Sequence, residues 1–145
     1  MIVSNSTPLI AFTRINQLPL LRSVVGELVI PAAVAEEIAD YPGKRGRIDL
    51  AQEPWIRVEY VRSRSSVRLL LAALDRGEAE VIVLAQEQNA EVVLIDELTA
   101  RKVAESLELT VSGSIGVLVR AKEMGRIAVV RPLVDEMIQQ GVHYS

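Results

Sequence analysis

The chain has 145 residues, half of them apolar, with 16 basic and 19 acidic side chains and a formal net charge of −3. That length suits one ordinary domain with an adequate core, and that charge balance is not the global signature of a nucleic-acid binder. With no cysteine and a single histidine, His143, near the C-terminus, disulfides and thiolate sites are excluded, and any bound metal is left to hard oxygen ligands.

In chain order, Ile2–Ser4 reads as a strand and Pro8–Val25 as helix, in two pieces because Pro19 interrupts it. Leu28–Ile30 is a second strand, and Pro31 opens a helix over Ala32–Tyr41. Residues 42–54 are charged and punctuated by Gly and Pro, a loop with one short helix. Ile56–Val61 is a strand, and Ser65–Leu74 and Glu78–Gln88 are helices parted by Asp75-Arg76-Gly77. Val92–Ile95 is an apolar strand, followed by helix Leu98–Leu107, strand Leu109–Val111, helix Ser114–Met124 and helix Val134–Gln139. Apolar, non-alternating strands in β–α succession argue for a parallel sheet covered on both faces. No apolar run approaches the ~20 residues that span a bilayer, and residues 1–22 lack the basic start of a signal peptide. The expected location is the cytoplasm.

The polar residues at the junctions carry the chemistry. Asn5 follows the first strand and Asp96 ends the central apolar one, the positions where open α/β sheets place ligands. Asp96 also suits the cap of the next helix. Helical phase puts Glu37 on the side of Val34, Ile38 and Tyr41, with Glu36 about 100° away toward solvent. Glu78 and Glu80 point to nearly opposite sides of a regular helix. Glu78 suits a helix first turn, whereas Glu80 enters an apolar stretch and needs a partner, of which a metal is one. Phase alone leaves the choice between them open. Gly113-Ser114-Ile115-Gly116 reads as a tight turn with Ser114 as cap; read instead as a phosphate-cradling turn, it makes Ser114 a substrate contact. Lys44, Arg45 and Arg47, and farther on Arg57, Arg62, Arg64 and Arg68, are either solvated surface or a phosphate-contacting rim. Leu69-Leu70-Leu71 is too apolar a run for one helical face and suggests an interface between two copies.

Five segments in order resemble the PIN domain, in the branch related to VapC-type toxins: Val3-Ser4-Asn5-Ser6-Thr7-Pro8-Leu9-Ile10, Ile30-Pro31-x-x-Val34-x-x-Glu37, Leu74-Asp75-x-Gly77-Glu78-Ala79-Glu80, Leu94-Ile95-Asp96-Glu97 with Arg101, and Val111-x-Gly113-Ser114-x-Gly116-Val117-Leu118. The resemblance implies a three-layer α/β/α fold with a central parallel sheet across residues 1–145. It further implies a Mg²⁺- or Mn²⁺-dependent endoribonuclease, possible as the toxin of a toxin–antitoxin pair, acting on RNA. The implied ligands are Asn5 (usually Asp in PIN nucleases), Glu37, Glu80 and Asp96, with Glu78 and Glu97 as further candidates. Glu80 is preferred to Glu78 because Ala85 lies five residues on, as in the family's acidic helix. Ser6 or Thr7 is implied near the scissile phosphate. Asn5 keeps an oxygen ligand but loses a negative charge, so a PIN module that binds RNA or protein without cutting is the alternative. A receiver-like protein would need a downstream strand-end lysine, and none follows Asp96.

Overall fold

Five short strands lie side by side in the order β3-β2-β1-β4-β5, every neighbouring pair parallel. The computed structural model describes residues 1–43 and 46–141; Lys44, Arg45 and His143 fall outside the described residues. The elements run β1 (Ile2–Ser4), α1 (Ser6–Arg14), α2 (Leu18–Val25), β2 (Leu28–Pro31), α3 (Ala32–Ala39), β3 (Ile56–Glu59), α4 (Arg64–Leu70), α5 (Arg76–Gln88), β4 (Val92–Leu94), α6 (Leu98–Ser106), β5 (Val111–Ser112), α7 (Ser114–Glu123) and α8 (Arg131–Gln139), with a 3₁₀ turn at Leu50–Gln52. Helices flank the parallel sheet, giving the three-layer α/β/α architecture expected from the alternation of elements.

The strands are apolar because both faces are covered. Val3 pairs with Val29 on one side and Val93 on the other, and all three are buried. Phe12, Leu21, Ile30, Ile82, Leu84, Ile95 and Leu118 are fully enclosed around them. Each such side chain contributes about 2 kcal/mol by leaving water.

Several boundaries differ from the sequence expectation, among them the end of α4 at Leu70 and the start of α8 at Arg131, and two of the differences have clear local reasons. Pro19 starts a helix rather than breaking one. The break comes earlier, where Asn16 takes a positive φ of 55° and the Gln17 N–H donates to the Phe12 carbonyl at 2.8 Å. Pro19 then sits in the first turn of α2, where its missing N–H is not needed. The second difference is at α5, which begins at Arg76 and takes Gly77 and Glu78 into its first turn. Asp75 and Glu78 form a reciprocal capping box: the Asp75 carboxylate accepts from the Glu78 N–H at 2.8 Å, and Glu78 Oε1 accepts from the Asp75 N–H at 3.0 Å.

Strand order decides where a site can form. The chain steps from β1 to β2 to β3 on one side, then returns to place β4 on the other flank of β1. The β1–β4 seam is therefore the topological switch point, and ligands of open α/β sheets bind at the carboxyl end of such a seam. The ladder reaches one residue past β1, because the Asn5 N–H donates to the Leu94 carbonyl at 3.0 Å. Asn5 and Asp96 thus emerge from neighbouring strands at that end.

Candidate functional site

Asn5 is only 6% exposed, and its side-chain oxygen has no hydrogen-bond partner among the described residues. A buried acceptor left unpaired costs roughly 1–3 kcal/mol, so it marks a place prepared for something else. Gly77 shows what faces it. A Cβ at that position would overlap Glu37 Oε1 and lie 3.4 Å from Asn5 Oδ1. With no side chain at Gly77, α5 approaches these two oxygens without displacing the end of Glu37.

Glu37 reaches this point from α3. Its Oε2 accepts a 2.6 Å hydrogen bond from the Ser6 hydroxyl. The residue as a whole is exposed, yet its carboxyl turns inward to Ser6 and Gly77. Burial of that carboxyl raises its pKa above the ordinary value; the Ser6 bond offsets part of the rise and the Asp75 charge adds to it. Thr7, next in α1, is partly exposed.

Across the seam, Asp96 is held by one residue. Ser114 donates its N–H to Oδ1 at 2.7 Å and its hydroxyl to Oδ2 at 2.5 Å. Ser114 is 0% exposed, so in this arrangement it orients Asp96 rather than facing solvent. Burial raises the Asp96 pKa, while the two Ser114 bonds and the charge of Arg101 pull it back. Gly113 is as constrained as Gly77, since a Cβ there would lie 2.5 Å from Asp96 Oδ1 and 2.8 Å from Arg101 Nη1. A cavity of about 350 Å³ opens here, lined by Asp96, Arg101, Ser112, Gly113 and Ile115 among others.

These features put buried side-chain oxygens at the carboxyl ends of β1 and β4, the switch point of a 3-2-1-4-5 parallel sheet, and a family model described as PIN domain matches residues 1–145. The chain belongs to the PIN-domain family. A comparison with curated proteins finds no match. The PIN domain is generally a nuclease-type fold associated with nucleic-acid binding and divalent metal ions. Among the described residues, no helix is long and apolar enough to cross a membrane.

The remaining acidic residues of this PIN domain divide sharply. Glu78 is 8% exposed, and its pKa is pushed up to about 7, first by burial and then by the charges of Asp75 and Glu97. Glu97 caps α6, accepting from the Ala100 N–H at 2.7 Å, and that bond holds its pKa below the usual carboxylate value. Glu80, 1% exposed, has both oxygens occupied. Oε1 accepts from the Ala33 N–H at 3.0 Å, and Oε2 accepts from Arg64 Nη1 at 3.1 Å and Arg76 Nε at 3.3 Å.

Among the described residues, no group of three or more His, Cys, Asp or Glu side chains is arranged to hold a metal ion. Asn5 is outside that count, and it supplies the open oxygen. Asn5 Oδ1 is unclaimed, and Glu37 Oε1 beside it is not the oxygen that Ser6 takes. All donors are hard oxygens, the type that Mg²⁺ and Mn²⁺ prefer. The residues present therefore fit a hard cation, with fewer charges than a set of four carboxylates. Arg76 and Gly77 were not singled out from the sequence as site-building residues, whereas Arg64 stood among the basic residues read as either solvated surface or a phosphate-contacting rim. The pattern Asp75-x-Gly77-Glu78 held a signal for Gly77, because a glycine inside a capped first turn needs a packing reason.

Proposed function

We propose that the chain is a metal-dependent ribonuclease of the PIN type, hydrolysing RNA phosphodiester bonds with Mg²⁺ or Mn²⁺. The observation that carries this reading is the orphaned Asn5 oxygen, buried at the switch point and facing the Glu37 carboxylate across Gly77. Asn5, Glu37 and Asp96 would hold the cation. We assign the fourth place to Glu78 rather than Glu80, because Glu78 is buried without a cationic partner among the described residues and Glu80 is engaged by two arginines. A divalent cation supplies a more acidic water and relief of charge on the phosphate. The protein's part is orientation. The Ser6 hydroxyl fixes one Glu37 oxygen and leaves the other toward Asn5, while Ser114 fixes both oxygens of Asp96. Thr7 and Arg101, beside these groups, are candidates to meet the RNA chain.

The decisive experiment is thermal denaturation against Mn²⁺ together with an RNA-cleavage assay. Mn²⁺ at 100-fold excess over its dissociation constant should stabilise the fold by about 2.7 kcal/mol. Asp96→Asn should abolish both the shift and cleavage, and Asn5→Asp should strengthen metal binding. A wild type with neither shift nor cleavage would end the nuclease reading. The neutral Asn5 also favours a second reading, a PIN module that binds RNA or a protein without cutting. RNA binding without cleavage at saturating Mn²⁺ would select it.

Within the nuclease reading we place the chain with VapC-type toxins. A cognate antitoxin would cover the acidic rim with an Arg or Lys. The outward leucines of α4 and the residue after it, Leu69 at 80% and Leu71 at 44% exposure, support pairing of two copies. A monomer by light scattering at micromolar concentration would count against that pairing.

A further inference from the structure

Two arginines from different helices meet over one buried carboxylate. Arg64 opens α4, Arg76 opens α5, and Glu80 Oε2 accepts from both. The other Glu80 oxygen takes the Ala33 N–H in the first turn of α3. Glu80 therefore ties together three helices, one of which carries Glu37 and another Gly77 and Glu78. It is the fixed point against which the guanidinium groups are set.

The arginines themselves are not buried. Their side chains keep 51% and 52% of their surface open, against 1% for Glu80. A guanidinium has five N–H donors in a planar fork. Arg64 spends one on Glu80; Arg76 spends one on Glu80 and one on the exposed Glu36, at 2.6 Å. Most donors remain for an outside acceptor. Charge balances here, two guanidiniums against Glu80 and Glu36, but Glu36 faces solvent at 59% exposure and leaves the arginines open to a further anion. The start of α4 is pinned as well: Glu87 accepts from the Arg62 N–H at 2.9 Å and the Ser63 N–H at 2.8 Å. Arg76 is the neighbour of Gly77, and its charge is felt by the Glu37 carboxyl.

We infer that Arg64 and Arg76 form a clamp for a phosphate of the RNA chain next to the Glu37 end of the cleft, and that Glu80 is the positioning residue that holds the clamp open toward solvent. This assignment rests on the nuclease reading for its choice of ligand. Planar forks match phosphate oxygens two at a time, and guanidiniums already immobilised by a buried anion lose less freedom on binding. The same contacts keep Glu80 from holding a cation, since the two fixed positive charges would repel it.

The test is binding of a fluorescently labelled single-stranded RNA by anisotropy in EDTA, where cleavage is blocked, over a series of salt concentrations. Arg64→Gln and Arg76→Gln should each weaken binding about tenfold and flatten the dependence of log affinity on log salt by about 0.7 for each phosphate no longer neutralised. Arg64→Lys should recover part of the affinity, and Arg64→Gln should keep the Mn²⁺-induced thermal shift. If Arg64→Gln lowers the melting temperature but leaves RNA affinity and its salt slope unchanged, the arginines are counterions of Glu80 and the clamp is overturned. A wild type that binds no RNA overturns it too. A wild type that binds RNA through these arginines but shows neither Mn²⁺ shift nor cleavage removes the nuclease reading and leaves the clamp standing.

Discussion

Glu78 and Glu80 lie two positions apart on the same helix, are both buried, and live in opposite electrostatic worlds. Glu80 has a backbone N–H and two guanidiniums on its oxygens. Among the described residues, Glu78 has a backbone N–H on one oxygen and the like charges of Asp75 and Glu97 nearby. One side of α5 is a finished structural joint between α3, α4 and α5. The other side faces the strand ends with a carboxyl whose pKa is raised to about 7. A neutralised and an uncompensated carboxylate are thus divided between the two faces of one short helical turn. Gly77, one residue before Glu78, is the part of α5 that closes on the unpaired Asn5 oxygen.

Breaking the joint should have the largest effect. Glu80→Ala removes a buried carboxylate that three donors share, and its loss should cost about 3–5 kcal/mol in chemical denaturation. A cost below about 1 kcal/mol would mean that solvent already screens the network through the half-open arginines. The next effect in size should come from Gly77→Ala. Its Cβ would collide with Glu37 Oε1, so we expect an overpacking cost of about 1–3 kcal/mol and loss of most Mn²⁺ stabilisation. Retention of the full metal shift would show that Glu37 can move away and still serve.

A third test, in the pH dependence of stability, sharpens the other side of the comparison. The Glu78 pKa is raised on folding from 4.5 to about 7, so the folded state holds its proton more tightly than the unfolded chain does. The associated stability is complete below pH 4.5 and is lost as pH rises through about 7. The melting temperature of the metal-free protein should therefore decline across that window. Glu78→Gln should flatten the decline, leaving the slope that Glu37 and Asp96 contribute in the same direction. An unchanged pH profile in Glu78→Gln would mean that Glu78 is already solvated or paired.

Much of the architecture could be read from local chemistry. The apolar runs around Val3, Val29 and Val93 required a covered parallel sheet, and strand–helix alternation required α/β. The polar residues at the ends of β1 and β4 were recognisable because strand ends are where such sheets open to ligands. The helical phase that turned Glu37 inward was also local, and its carboxyl does turn to Ser6. Helix starts were less legible, because Pro19 and the capping of α5 depend on which turn the chain chooses first.

Residue type and spacing, which act along the chain, determined the sheet, the oxygen-only chemistry and the positions of Asn5 and Asp96. Helical phase already set Glu78 and Glu80 on opposite sides; what the chain could not reveal is which of them is neutralised. That depended on Arg64 arriving from α4, Ala33 from α3 and Glu97 from the end of β4, all distant in sequence. A buried carboxylate takes its character from the charges and donors packed around it, and only the tertiary structure decides which ones those are.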